Sequence, residues 1–248
     1  SSGEMKTKPT QASVKELQGM GIQPDIIVCR SEYPLDNGIK DKIALFCNVP
    51  SSHVLQNLDV EYLYEAPLAM EEEHLAQVAC ECLGLPCPEP NLSDWKAMCT
   101  ALKHPKGEVS VALVGKYTQL HDAYISVVES LKHGGIANGV SVNIKWVDSE
   151  KVTAENVEEF LGDVSGIIVP GGFGDRGIEG MIQSIRYARE KKVPFLGLCL
   201  GMQLTIVEFT RDVVGYNDAH SVEFLPGTTH PVIHLMPDQE GIDDIGGT

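Results

Sequence analysis

From residue 108 onward, short apolar runs of strand type alternate with amphipathic runs of helix type, one pair in about every 20–30 residues. EVSVALVGKY (108–117), VSVNIKWV (140–147), SGIIVPGG (165–172) and VPFLGLC (193–199) read as strands. DAYISVVESLKH (122–133), 152–161, IEGMIQSIRYAREKK (178–192) and LGMQLTIVEFTRDV (200–213) read as helices. Strands that run the same way need a helical crossover between them, so this alternation demands an open, mostly parallel α/β sheet. Functional groups in such a sheet belong at the carboxyl ends of its strands.

Upstream the pattern is less regular. ASVKELQGMG (12–21) predicts a short helix stopped by Gly19 and Gly21, and PDIIVCR (24–30) predicts a buried strand. KIALFCNV (42–49) mixes helix and strand signals, and EEEHLAQVACECL (71–83) predicts one helix with an acidic first turn. GLPCPEPN (84–91) holds three prolines and reads as a stiff, extended boundary, after which Ser93 is a candidate N-cap. The chain therefore divides into 1–75, a linker with helices over 76–107, and 108–248. It opens on SSGEMKTKPT and stops at IGGT, and both ends are expected to be cut from something longer.

Charge narrows the partners. Nineteen basic against thirty-five acidic residues give a net charge of −16. That sign repels nucleic-acid polymers and anionic membrane surfaces. Residues 1–45 alone balance, with six basic and six acidic side chains. No apolar run is long enough to span a bilayer, and no leader is visible. Seven cysteines without a repeating framework suit free thiols in a reducing, cytoplasmic compartment. Cys80, Cys82 and Cys87 lack the paired spacing of a zinc site, so no metal centre is expected.

Three segments carry chemistry. GLCLG (197–201) is Gly-x-Cys-x-Gly between an apolar strand and a helix, a cysteine nucleophile elbow. Small residues at both ends permit the tight turn, the helix N-terminus favours a thiolate at Cys199, and the Leu200 N–H would face an oxyanion. A buried core cysteine is the competing reading. PGGFGDRG (170–177) spells a dinucleotide fingerprint, yet the next strand ends in Cys199 where an acidic residue would be needed. It reads better as a flexible turn placing the Gly172 N–H opposite Cys199. KTKPTQ (6–11) offers two lysines, hydroxyls and backbone N–H groups to a phosphate, with a solvated polar loop as the alternative. No histidine among His121, His133, His220, His230 and His234 completes a triad by its sequence context.

GLCLGMQ with PGGFG resembles class I, triad-type glutamine amidotransferase domains. With KTKPTQxSV, GIQPDIIVCR, DKIALFCNV, VALVGKY, DAYxSVxESLKHGG and SVEF (221–224), the resemblance extends end to end to the CTP synthase family. It implies that 1–75 closes a P-loop-type amidoligase (synthetase) domain and that 108–248 is a glutaminase domain. Cys199 would be the nucleophile, Gly172 and Leu200 the oxyanion hole, and Gly172, Leu200, Gly201, Met202, Gln203 and Glu223 the contacts of L-glutamine. Lys6, Thr7, Lys8, Pro9, Thr10, Gln11 and Lys42 would meet UTP or CTP, and Asp59 and Val60 would touch ATP, although Leu58 stands where a basic residue often precedes them. ATP with Mg²⁺, GTP as activator, CTP as product inhibitor and a homotetramer follow from the resemblance alone. So does the expectation that the phosphate-binding loop, the Mg²⁺ ligands and the triad His and Glu lie outside this sequence, leaving it with little turnover. Two other readings stay open. One is a non-catalytic nucleotide-binding or assembly module; the other is an amidotransferase of a different biosynthetic enzyme, which leaves KTKPTQ unexplained.

Overall fold

The computed structural model describes residues 5–236. The termini that suggest cut ends lie outside the described residues. The chain forms two compact units divided after Lys103.

The first unit begins with α1 (Lys8–Gly19), β1 (Ile27–Ser31), α2 (Asn37–Cys47) and β2 (Val54–Leu58). It ends with α3 (Ala66–Glu72), α4 (Leu75–Leu83) and α5 (Ser93–Lys103). β1 and β2 pair in parallel from Ile27 opposite Val54 to Ser31 opposite Leu58. Ile27, Ile43, Ala44, Cys47 and Val54 form a small core, with Val14 and Ile39 packed against it. Asp36 caps α2 by accepting the Ile39 N–H at 2.8 Å, and Asn48 ends it in the left-handed region at φ 56°. The ambiguous 42–49 run thus resolves as helix up to Cys47.

Two expectations are corrected here. The single helix over 71–83 is broken at His74, whose φ is 59°. The reason is Glu73, which turns inward to Lys40 Nζ at 3.0 Å and to the Gln56 N–H and side-chain amide at 3.2 and 2.7 Å. The acidic run therefore closes α3 instead of opening α4. The helix expected over 12–21 runs from Lys8 to Gly19, so Lys8–Gln11 of KTKPTQ form its first turn. Pro9 fits there because a first-turn residue needs no N–H donor. The proline-rich stretch 84–91 is an exposed connection between α4 and α5.

The second unit runs β3 (Glu108–Gly115), α6 (Ile125–Asn138), β4 (Ser141–Asp148), α7 (Val157–Leu161) and β5 (Gly166–Val169). It continues with α8 (Ile178–Lys191), β6 (Phe195–Gly197), α9 (Leu200–Phe209), β7 (His220–Ser221) and β8 (Pro231–Ile233). Four strands form a parallel sheet in the order β4-β3-β5-β6, as the alternation requires. Ala112, Val114, Val147, Ile167 and Val169 pack beneath Met181, Ile182 and Ile185 of α8 and Leu204 and Val207 of α9. Burying each of these larger side chains contributes about 1.5–3 kcal/mol. The helix expected over 122–133 opens as a 3₁₀ turn at His121–Tyr124, and α9 gives way to a π turn over Thr210–Val214. Among the described residues no helix is long and apolar enough to cross a membrane.

Candidate active site

Cys199 occupies the sharp turn between β6 and α9, with φ 50° and ψ −105°. That conformation is strained for any residue with a Cβ, and it leaves the thiol exposed. The two glycines of the motif are there for close approach. A Cβ on Gly197 would stand 2.6 Å from the Gly201 backbone, and one on Gly201 would overlap the Val169 carbonyl of β5. The turn is closed by Leu198 N–H on the Val169 carbonyl, Gly201 N–H on Leu198 and Gln203 N–H on Cys199. The Leu200 N–H makes no such backward bond among the described residues, and it is the first donor of α9. Met202 is exposed and Gln203 half-buried on that first turn.

The glycine-rich loop after β5 closes over this turn. A Cβ on Gly171 would lie 3.4 Å from Cys199 Cβ and 3.9 Å from its Sγ. One on Gly172 would lie 3.8 Å from Leu200 Cδ2 and 3.5 Å from Lys116 Cδ. Gly171 is therefore the loop residue beside the cysteine, and Gly172 is beside Leu200. Glu223 is exposed after β7, its N–H donating to Ser221 Oγ at 3.3 Å.

Lys116, at the carboxyl end of β3, was not singled out from sequence. Its side chain is buried, and Nζ donates to the Phe173 carbonyl at 3.1 Å and to the Gly174 carbonyl. Nζ also stands 5.9 Å from the centre of the Phe224 ring. Burial pushes the ammonium below the ordinary lysine range, while the Asp175 and Glu223 carboxylates act in the opposite sense. The available signal was a lysine directly after the apolar run VALVG that ends the strand.

The histidines that the structure pairs are engaged elsewhere. His220 accepts the Ser221 N–H at 2.9 Å and lies 3.9 Å from Glu179; burial and Arg211 depress its pKa. His230 Nδ1 lies 2.6 Å from Asp218 Oδ1, and its ring stacks on Tyr216. His121 stacks on Trp146, and His234 Nδ1 lies 2.6 Å from the Leu235 carbonyl oxygen.

In the first unit, Lys6, Thr7 and Thr10 line a cavity of about 200 Å³ together with Arg30 and Ser31. Thr7 is buried and its Oγ1 accepts the Gln11 amide at 3.0 Å. Lys8 and Pro9 are exposed on the same first turn, and Lys42 is exposed on α2. Asp59 and Val60 line a second cavity of about 540 Å³ in which Arg30 recurs, its Nε 3.1 Å from Asp59 Oδ1. The sequence reading missed Arg30, whose place at the end of β1 was the clue. Among the described residues no group of three or more His, Cys, Asp or Glu side chains is gathered to hold a metal ion.

Comparison with known proteins agrees with both halves. The family described as CTP synthase N-terminus matches residues 1–85, and glutamine amidotransferase class-I matches residues 119–240. The CTP synthase of Clostridium acetobutylicum is 58% identical over 246 residues, which are 99% of this chain and 46% of that protein. That of Ruminiclostridium cellulolyticum is 58% identical over 247 residues, 100% of this chain to the nearest per cent and 46% of its own length. The chain therefore spans about half the length of these relatives. Among solved structures, the Trypanosoma brucei CTPS glutaminase domain with bound acivicin superposes with a TM-score of 0.50 at 41% identity, covering 52% of this chain and 51% of that one. With an N-terminal CTP synthase segment and a class-I amidotransferase segment in this order along one chain, the protein belongs to the CTP synthase family.

Proposed function

We propose that residues 108–248 are a glutaminase domain that supplies ammonia for the ATP-dependent amination of UTP to CTP, and that residues 1–75 contribute to the synthetase domain where the amination occurs, joined by 76–107. The observation that carries this reading is the strained, exposed Cys199 between β6 and α9, with the glycine-rich loop beside it. The Cys199 thiolate attacks the side-chain amide carbon of L-glutamine, and the carbonyl oxygen becomes an oxyanion received by the N–H groups of Gly172 and Leu200. The C–N bond then breaks, a proton goes to the departing nitrogen, and water hydrolyses the thioester to glutamate. Gln203, Gly201 and Met202 face the substrate on the first turn of α9, and the Glu223 carboxylate suits its ammonium.

The proton for the departing ammonia needs an acid. The imidazoles of His220 and His230 have other partners, so we expect little glutamine turnover from these 248 residues. In the first unit, the cavity lined by Lys6, Thr7 and Thr10 suits the triphosphate of UTP or CTP, with Lys8, Pro9 and Gln11 on the same segment and Lys42 next to Ile43, another residue of the lining. Asp59 and Val60, lining the cavity next along β1, suit ATP. The described carboxylates do not gather into a ligand set for the Mg²⁺ that accompanies ATP, so no step runs through it. GTP as activator, a homotetramer and a cytoplasmic setting complete the proposal.

The test is covalent labelling with a diazo-ketone analogue of glutamine, followed by peptide mass mapping. Selective loss of the Cys199 thiol among the seven cysteines supports the glutaminase. An inert Cys199 favours a non-catalytic nucleotide-binding module.

A further inference from the structure

A buried ammonium without a contacting counter-charge is costly, and it persists where its hydrogen bonds hold something in place. Lys116 spends two of its three N–H groups on consecutive main-chain carbonyls, those of Phe173 and Gly174. In a trans peptide the carbonyl and the following N–H point in opposite directions, so two anchored carbonyls fix the rotation of two successive peptide planes. The first of them is separated by a single peptide plane from the one that carries the Gly172 N–H, and Gly171 and Gly172 are the residues beside Cys199 and Leu200. The Phe173 side chain adds no packing support to the loop tip, because it is 88% exposed. Lys116 is in turn held by β3, whose last residues Leu113, Val114 and Gly115 are buried, and by the Tyr124 hydroxyl, which accepts its N–H at 3.1 Å.

We infer that Lys116 is a positioning residue for the glutaminase reaction: it ties the glycine-rich loop to β3 and so sets the direction of the Gly172 N–H at the oxyanion site. It does not touch the reacting atoms; it acts through the loop. This rests on the glutaminase reading of Cys199, and the experiment separates the two.

Lys116→Met keeps the length of the side chain and removes the donors. In the 248-residue chain, Cys199 alkylation is timed with a glutamine-like chloromethyl ketone and with iodoacetamide, and amide exchange is followed over 171–177. For Lys116→Met the ketone rate falls about tenfold or more, as when one oxyanion donor is lost. The iodoacetamide rate stays within about twofold, and 171–177 exchange faster while β3 and α8 are unchanged. Lys116→Arg, which retains charged donors, recovers part of both. Unchanged ketone rates with unchanged loop exchange overturn the inference. If Lys116→Met loses protection throughout, Lys116→Gln decides: a loss confined to the loop supports the tether, and no loss there overturns it. A parent Cys199 that shows no preference for the ketone overturns the glutaminase reading, and loop exchange alone then decides the tether.

Discussion

At the scale of the residue, backbone strain and side-chain function meet at Cys199. A residue with a Cβ at φ 50° and ψ −105° costs about 1–3 kcal/mol, and packing of the turn against β5 sustains it. Glycine adopts that region without penalty. Cys199→Gly is therefore expected to raise stability by about 1 kcal/mol, after the greater flexibility of the unfolded glycine chain is subtracted. Labelling by the glutamine analogue should be abolished in the same variant. A shift of the urea midpoint to lower concentration would refute the strain account. A second residue-scale effect belongs to Asp218, whose carboxylate accepts the Thr229 hydroxyl and N–H and pairs with His230. These bonds, the Thr229 hydroxyl foremost, hold its pKa well below the usual carboxylate range. A depressed folded pKa gives stability that is present above the unfolded value, near 3.9, and lost as pH falls through the folded one. Asp218→Asn should flatten the acid limb of stability below about pH 4. Urea midpoints measured from pH 2 to 8 for both proteins decide it.

At the scale of the element, α8 and α9 are joined by more than apolar packing. Arg189 grips Glu208 through Nε and Nη2, at 2.9 and 2.7 Å to Oε1, and the Glu208 side chain is only 1% exposed. Arg189→Met strands a buried carboxylate, which costs about 3 kcal/mol, lessened here because the Arg189 side chain is one-third exposed. Arg189→Met with Glu208→Leu should recover most of that loss, since paired apolar replacements are often neutral. A double-mutant cycle on denaturant midpoints reads the coupling, and strict additivity would refute it. Elements of this kind were legible in the sequence wherever the signal was local. The alternation after residue 108 exposed all four strands of the main sheet, and GLCLG exposed the elbow. The break at His74 was not legible, because it depends on Glu73 reaching Lys40 and Gln56 from other elements. The same holds for Lys116. Its partners are the Phe173 and Gly174 carbonyls, and carbonyls carry no side-chain signature. The helix expected over 12–21 starts instead at Lys8, because Pro9 fits a helix's first turn, a place that its own sequence context does not mark.

At the scale of the whole molecule, the two units are built to unequal strength. Among the described residues the first holds one two-stranded sheet, and its buried core cluster has five residues. Leu45, Phe46 and Tyr33 are largely exposed there. Two strands give marginal stability unless helices cover them well. The second unit closes a four-stranded parallel sheet under α8 and α9 around a far larger core. Burial scales with the size of the core, so the first unit should unfold first. Each unit carries one of the two tryptophans, which makes the difference measurable. Trp95 of α5 donates to the Tyr64 carbonyl at 2.7 Å, and Trp146 of β4 stacks on His121 at 4.0 Å. Trp146→Phe leaves fluorescence that reports the first unit alone, and Trp95→Phe leaves the second. Under urea the Trp95 signal is expected to change at a clearly lower concentration than the Trp146 signal, with far-UV ellipticity falling in two steps. Coincident midpoints in the two variants, with a single step in ellipticity, would mean that the units unfold as one cooperative body.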